Sequence, residues 1–286
     1  MGVKPDWVKS RLVSGLGLET KKILDELGLI TVCMEAGCPN RGECWREKTA
    51  TFMILGDTCT RSCRFCLVKT GSVGERVRVD EPERLACAAD KLGLRYVVLT
   101  SVDRDDLPDL GSGHYVECVK SLKAMGLEVE ALTPDFQGRL DLVEEVASSG
   151  LDVFAHNLET VKRLTPSIRD RRASYEVSLK VLEAAGDAGV YTKSSLLLGL
   201  GESRMEVVEA MNDLLEAGVD VLVLGQYLQP SRKQIKVDRF LTRREFRQLK
   251  REAESMGFKQ VLSEPMARTS YKARQVYMNL RGETDS

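Results

Sequence analysis

From residue 51 onward, short apolar runs alternate with amphipathic stretches along the chain. The apolar runs are "TFMIL" (51–55), "RYVVLT" (95–100), "LEVEAL" (127–132), "DVFAH" (152–156), "YTKSSLLLG" (191–199) and "DVLVLGQY" (220–227). Their length and β-branched content predict strands. Between them lie helical periods. In 82–93, Leu85, Ala88, Ala89 and Leu92 share one face; in 114–126, Tyr115, Val119 and Leu122 do so, with Gly126 as a stop. In 203–218, Ser203 followed by Glu206 has the pattern of a capping box. Six strand–helix alternations predict right-handed crossovers and a parallel sheet. The interval from residue 51 to residue 227 is shorter than the roughly 250 residues of a full (β/α)8 barrel. The expected fold is therefore α/β, a partial (β/α)6 TIM-type barrel with N-terminal and C-terminal extensions. Residues 1–50 form a cap, 51–227 the barrel, and 228–286 an extension that closes it. In that extension 242–258 reads as a helix, 259–263 as a further strand, and the tail "RGETDS" as frayed.

Composition narrows the class without naming a function. Hydrophobic residues at 43% suffice for an ordinary core, and a net charge of −1 gives no global attraction to nucleic acid or membrane. The stretch "MGVKPDWVKSRLVSG" has no apolar h-region, and no uncharged run approaches a membrane span. A reducing cytoplasm is the expected compartment. There, clustered cysteines are metal ligands or catalysts more often than disulfides.

Six of the eight cysteines fall in two triplets. Cys33, Cys38 and Cys44 make C-x4-C-x5-C; Cys59, Cys63 and Cys66 make C-x3-C-x2-C directly after the first strand. A closed zinc site wants four ligands. "CTRSCRFC" offers three on one loop with no neighbouring histidine, since the only two are His114 and His156. Three thiolates on a short loop suit three corners of a four-iron cluster with one iron left open. In parallel barrels the active site sits where strands end. The polar segments "TSVDRDD", "HNLET", "GLGE" and "GQYLQPS" follow successive strands onto that same rim.

The loop "CTRSCRFC" resembles the signature of the radical S-adenosylmethionine (SAM) superfamily. "CMEAGCPNRGECW" is similar to the auxiliary-cluster motif of the lipoyl synthase family. That resemblance continues through "VLTSVDRDDLPDLGSGHY", "LTPDFQGR", "FAHNLETVKRL", "TKSSLLLGLGE", "GQYLQPSRKQIKV" and "RTSY". It departs at Leu67 and Lys69, where an acid and a histidine are usual, at Ser195, where glycine is common, and in "SEPMARTSY", which is looser than usual before the tail and in which the "R-S-S-Y" block reads Arg268-Thr269-Ser270-Tyr271. The resemblance implies two [4Fe-4S] clusters and SAM as cofactors. It implies radical insertion of two sulfur atoms at C6 and C8 of a protein-bound octanoyl-lysine, with the auxiliary cluster as a consumed sulfur source. It gives Ser270 as the fourth ligand beside Cys33, Cys38 and Cys44, and an enzyme of the sulfurtransferase class. The implied partners are an octanoylated lipoyl-carrier domain (2-oxoacid dehydrogenase E2 or glycine cleavage H protein), a ferredoxin or flavodoxin, and a cluster-repair protein. A monomer is expected. Another two-cluster radical enzyme, such as a methylthiotransferase, is the alternative, against which the spacing of the first triplet argues.

Supporting residues follow from the rim. Asp103, with Thr100 nearby, suits the ammonium group of SAM, or a turn. Asn157 and Glu159 suit ribose hydroxyls, or loop capping. Lys193 reaches a carboxylate or pairs with Glu159. His156 reads as a satisfied core histidine, Cys118 as core and Cys87 as a surface thiol. Tyr227 and Gln229 line an acyl channel or pack. The basic residues Arg61, Arg64, Lys69, Arg76 and Arg78 dock an acidic carrier domain, or form a solvated loop.

Overall fold

The computed structural model describes residues 15–35, 38, 40, 43–44 and 51–283. The rest of the N-terminal cap and the last three residues of the tail lie outside the described residues. The strands are β1 (Ile30–Thr31), β2 (Thr51–Ile54), β3 (Thr58–Cys59), β4 (Lys69–Thr70), β5 (Tyr96–Ser101), β6 (Glu128–Leu132), β7 (Val153–Ala155), β8 (Tyr191–Leu198), β9 (Val221–Gln226) and β10 (Gln260–Ser263). The helices are α1 (Gly15–Glu26), α2 (Val32–Glu35), α3 (Glu81–Leu92), α4 (Ser112–Lys123), α5 (Leu140–Ala147), α6 (Thr165–Ile168), α7 (Tyr175–Asp187), α8 (Arg204–Glu216), α9 (Arg243–Met256) and α10 (Ala273–Leu280).

The main sheet runs β1-β2-β5-β6-β7-β8-β9-β10. From β2 to β10 every pair is parallel; β1 joins antiparallel at one edge. The six barrel strands expected between residues 51 and 227 are all present. The sheet does not close among the described residues, because β1 and β10 are its two edges. The C-terminal extension thus lengthens the sheet by one strand, with Val261 opposite Leu222. Ser203 and Thr242 each form a complete capping box, starting α8 and α9. Each cap is worth about 1 kcal/mol.

Side chains alternate across the sheet with period two. Val97, Leu99, Val129, Ala131 and Phe154 point to the helices and join Leu85, Val119 and Val143 in the largest core cluster. The opposite face carries Tyr96, Val98 and Val153, and α10 covers this lower layer with Ala273 and Tyr277. Part of the C-terminal extension, α10 therefore covers the inner face of the barrel.

In this lower layer lies Lys193. Its ammonium is buried and bonds both oxygens of Glu130, each at 2.9 Å. Tyr96 donates its hydroxyl to the same carboxylate at 2.8 Å. This corrects the expectation that Lys193 serves the cofactor or pairs with Glu159. Its parity puts it on the inner face, one layer below the rim, within reach of the Glu130 carboxylate.

Candidate active site

The upper layer opens into a cavity of about 520 Å³. Cys59, Cys63 and Cys66 line it, together with Thr100, Asp103, Asn157, Glu159 and Ser195 from the strand ends and Cys38, Arg268, Thr269 and Ser270 from the two extensions. Both cysteine triplets and Ser270 thus contribute to one chamber.

Three loops clamp "CTRSCRFC" in place. From the loop after β5, the Asp103 carbonyl accepts from Thr60 N at 2.9 Å, and Asp105 N donates to the Thr60 hydroxyl at 3.0 Å. From the loop after α6, Asp170 accepts from Ser62 N at 2.9 Å, and Ile168 O accepts from Arg64 N at 2.8 Å. Arg61 is the central fastener. Its guanidinium is buried and spans Asp135 (2.7 and 2.8 Å), Asp105 (3.0 Å twice) and Asp103 (3.3 Å). Burial alone would lower its pKa, but the hydrogen bonds to Asp135 and Asp105 outweigh it and hold the charge on. Arg61 is therefore no part of a docking surface, contrary to the sequence expectation.

Backbone amides also point at the sulfurs. Cys59 Sγ accepts from Arg61 N (3.4 Å) and Asp103 N (3.3 Å), and Cys63 Sγ accepts from Asp170 N (3.3 Å). Burial nevertheless pushes the thiols up, to about 12 for Cys59 and Cys63 and about 11 for Cys66. Three thiolates on one wall need a cationic core to displace their protons. Among the described residues, no three His, Cys, Asp or Glu side chains converge on the position of a single metal ion. The thiols share a wall instead, and this donor set, with its amide hydrogen bonds to sulfur, fits an iron–sulfur cluster.

Thr100, Asp103, Asn157 and Glu159 all reach the cavity as expected. Burial raises Asp103 to about 6 against the opposing pull of Arg61. Burial raises Glu159 too, opposed by its bond from Asn157 and by Arg169 and Arg268. Glu159 adopts a left-handed backbone, φ 67°, which is costly for a non-glycine residue. Two bonds to the rim of β8 hold it there: its N donates to Ser195 O at 3.0 Å and its O accepts from Leu197 N at 2.8 Å.

The C-terminal segment reaches the cavity along the exit of β9. Gln226 N donates to Pro265 O at 3.0 Å. Gly225 permits the approach, since a Cβ there would lie 2.2 Å from the Ala267 carbonyl oxygen. Three further contacts pin the segment on either side of Ser270. Asn40 Nδ2 donates to Met266 O (2.7 Å), Thr269 donates to Asn157 Oδ1 (2.9 Å), and Tyr271 donates to Glu43 Oε1 (2.9 Å). The first and last tie it to the loop of the first triplet. Of that triplet, Cys38 faces the cavity, Cys33 is buried and Cys44 is half-buried. Thr269 also touches Ser195 Oγ at 3.1 Å, so these two departures from the family pattern meet.

Sequence reasoning missed Arg169 and Arg268, and gave Arg61 a surface role in place of its buried one. Arg268 is enclosed between Cys38 and Glu159; burial lowers its pKa, and these two acidic neighbours oppose that. Its place two residues before Ser270 was the available signal.

His156 is satisfied as expected. Nδ1 donates to Thr133 O at 2.9 Å and Nε2 accepts from Ser178 Oγ at 3.0 Å. Burial, followed by the charge of Arg169, depresses it to about 4. A depressed histidine keeps its full contribution above the unfolded pKa near 6.5. That stability is lost as pH falls towards 4 and amounts to roughly 3 kcal/mol. Urea unfolding is expected to show this decline in wild type and a shallower one in His156→Gln. Equal slopes between pH 6.5 and 4 would remove His156 as the cause. Cys118 is buried and Cys87 exposed, as expected. Tyr227 and Gln229 line the cavity and also pack, donating to Ile235 O (2.7 Å) and Gln234 O (2.8 Å).

Comparison with known proteins agrees with this site. The family description "Radical SAM superfamily" matches residues 53–214. A lipoyl synthase of Halorhodospira halophila is 52% identical, covering 96% of this chain and 83% of its own. One of Methanocella arvoryzae is 51% identical, covering 97% and 95%. One of Sulfolobus acidocaldarius is 53% identical, covering 95% and 96%. Among solved structures, methylornithine synthase (PylB) superposes with a TM-score of 0.59 at 15% identity, over 94% of this chain and 77% of that one. Streptococcus suis SuiB bound to S-adenosylmethionine gives 0.58 at 12% identity, over 82% of this chain and 55% of that one. At these identities the structural likeness speaks for the fold alone. Among the described residues no helix is long and apolar enough to cross a membrane.

Proposed function

The chain belongs to the lipoyl synthase family of radical SAM enzymes, and on that premise we propose how its own residues divide the work. Cys59, Cys63 and Cys66 hold one [4Fe-4S] cluster. Cys33, Cys38, Cys44 and Ser270 hold a second. The substrate is an octanoyl chain on a lysine of a lipoyl-carrier domain, and the enzyme acts as a sulfurtransferase at C6 and C8 in the cytoplasm. When bound, the clusters and SAM supply reductive carbon–sulfur cleavage and the sulfur itself.

The protein's part is binding, orientation and exclusion of water. Asp103, ionised above about 6, meets the ammonium group of SAM beside Thr100. Asn157 and Glu159 accept or donate to the ribose hydroxyls, with the Asn157 amide fixed between Glu159 (3.0 Å) and Thr269. Phe65, Leu67, Leu197 and Leu228 give the cavity an apolar side that suits an acyl chain. A serine oxygen is a harder donor than thiolate, so Ser270 would hold iron less firmly than Cys33, Cys38 and Cys44. The observation that carries this reading is that Cys38 and Ser270 line the same cavity as Cys59, Cys63 and Cys66.

The test is turnover by anaerobically reconstituted protein with dithionite, SAM and an octanoyl-lysine peptide. The expected products are 5′-deoxyadenosine and a peptide heavier by two sulfurs. Deoxyadenosine without sulfur gain would assign the chain a different substrate.

A further inference from the structure

Three loops meet at the cavity mouth beside the first cluster motif, and they share one sign of charge. Ile235 N donates to Arg64 O at 3.0 Å and Gln234 Nε2 donates to Cys66 O at 3.1 Å, which lays the 229–237 loop against "CTRSCRFC". Arg64 N and Nη1 donate to Ile168 O and Ser167 O, each at 2.8 Å, which joins the loop after α6 to the same rim. Arg64, Arg171, Arg232, Lys233 and Lys236 are exposed on these loops. The 229–237 stretch contains no acid. Among the described residues, none of these five makes an ion pair, unlike the neighbouring Lys162, Arg163 and Arg172, which pair with Glu176, Glu206 and Asp170. Exposed charges left unpaired on a functional rim offer long-range attraction to a partner of opposite sign.

The same rim holds the apolar entrance. Phe65, Leu67, Leu228 and Pro230 line the cavity, and Leu67 is 37% exposed. An acyl chain entering between them brings its carrier against the basic loops. Of the other basic residues read from sequence, Arg61 is buried, Lys69 pairs with Asp57 (3.3 Å) and Arg78 donates to Gly28 O (3.3 Å), while Arg76 is exposed on the segment between β4 and α3.

We infer that the rim formed by Arg64, Arg171, Arg232, Lys233 and Lys236 is the docking surface for an acidic face of the acyl-carrier domain. This rests on the lipoyl synthase reading, and the experiment separates the two. The reconstituted holoenzyme bearing Lys233→Glu and Lys236→Glu is compared with wild type on two substrates, an octanoylated carrier domain and a short uncharged octanoyl-lysine peptide. Neither lysine lines the cavity. The KM for the domain is expected to rise about tenfold or more, as for reversed charges at an interface rim. Turnover of the peptide is expected to stay within about twofold. Wild-type KM for the domain rises as salt is raised and screening shortens, and that slope flattens in the variant. Arg171→Glu, on a different loop, repeats the effect and guards against local misfolding. An unchanged domain KM in both variants, or equal losses on domain and peptide, overturns the docking surface. Wild type that adds no sulfur to either substrate overturns the functional reading instead.

Discussion

Replacing Arg61 by methionine is expected to destabilise the fold by about 3–5 kcal/mol, the usual penalty for stranding buried charge. The side chain sits between two cluster cysteines and is 3% exposed, facing Asp103, Asp105 and Asp135. Removing it leaves three carboxylates close together; the best shielded, Asp135, keeps its low pKa against burial chiefly through the hydrogen bond from Arg61. The loop that positions Cys59 and Cys63 loses its fastener, so iron bound there after reconstitution is expected to fall with stability. Arg61→Lys keeps the charge without the fork and is expected to recover only part of both. Adding Asp135→Asn to the methionine variant should restore stability beyond additivity, since the two residues share one network. Urea midpoints and iron-to-protein ratios check this. A methionine variant as stable and as iron-rich as wild type would remove Arg61 from this role.

Ser270→Ala is expected to separate the two halves of the reaction. Iron held by the first triplet becomes labile, while Cys59, Cys63 and Cys66 keep theirs. SAM cleavage to 5′-deoxyadenosine continues, and sulfur insertion falls by at least about a hundredfold, the upper end of the loss on disturbing a ligand's support. Ser270→Cys is expected to hold iron more firmly and to insert sulfur more slowly than wild type, because thiolate is the better matched donor. Full iron content together with normal insertion in the alanine variant would show that Ser270 is no ligand. The flanking contacts matter for the comparison. Met266, Thr269 and Tyr271 are each bonded elsewhere, so the backbone stays in place when the hydroxyl is removed.

Local patterns were the legible part of the sequence. The six strands, the Ser203 capping box and the spacing of both triplets depend on residues close together in the chain. Cys118 and His156 were also assigned correctly, since their neighbours are apolar or strand-like. Long-range pairing was not legible. Arg61 reads as a solvated loop arginine because its partners Asp105 and Asp135 come from later loops, 44 and 74 residues away. Lys193 has the parity of a rim residue, but depth along a strand depends on register with neighbours, and its partner Glu130 is 63 residues earlier. The stretch from β10 to α10 carries too little periodicity to declare that it fills the inner face. The contact between Thr269 and Ser195 was visible only as two separate departures from a family pattern.

The contact between Asn40 and Met266 spans 226 residues, and it sets an order for assembly. Most groups that clamp "CTRSCRFC" lie before residue 173, but Gln234 and Ile235 also bond its backbone, so the loop is fully held only once the chain is made past residue 235. On the proposed ligand assignment the second site needs Cys38 and Ser270 together, so it would form only after the C-terminal segment is made. On the same proposal, a polypeptide that stops before Ser270 would retain the three cysteines proposed for the SAM-cleaving cluster but lack the serine proposed to complete the sulfur source. On that assignment the late-arriving serine would link sulfur donation to synthesis of the C-terminal segment.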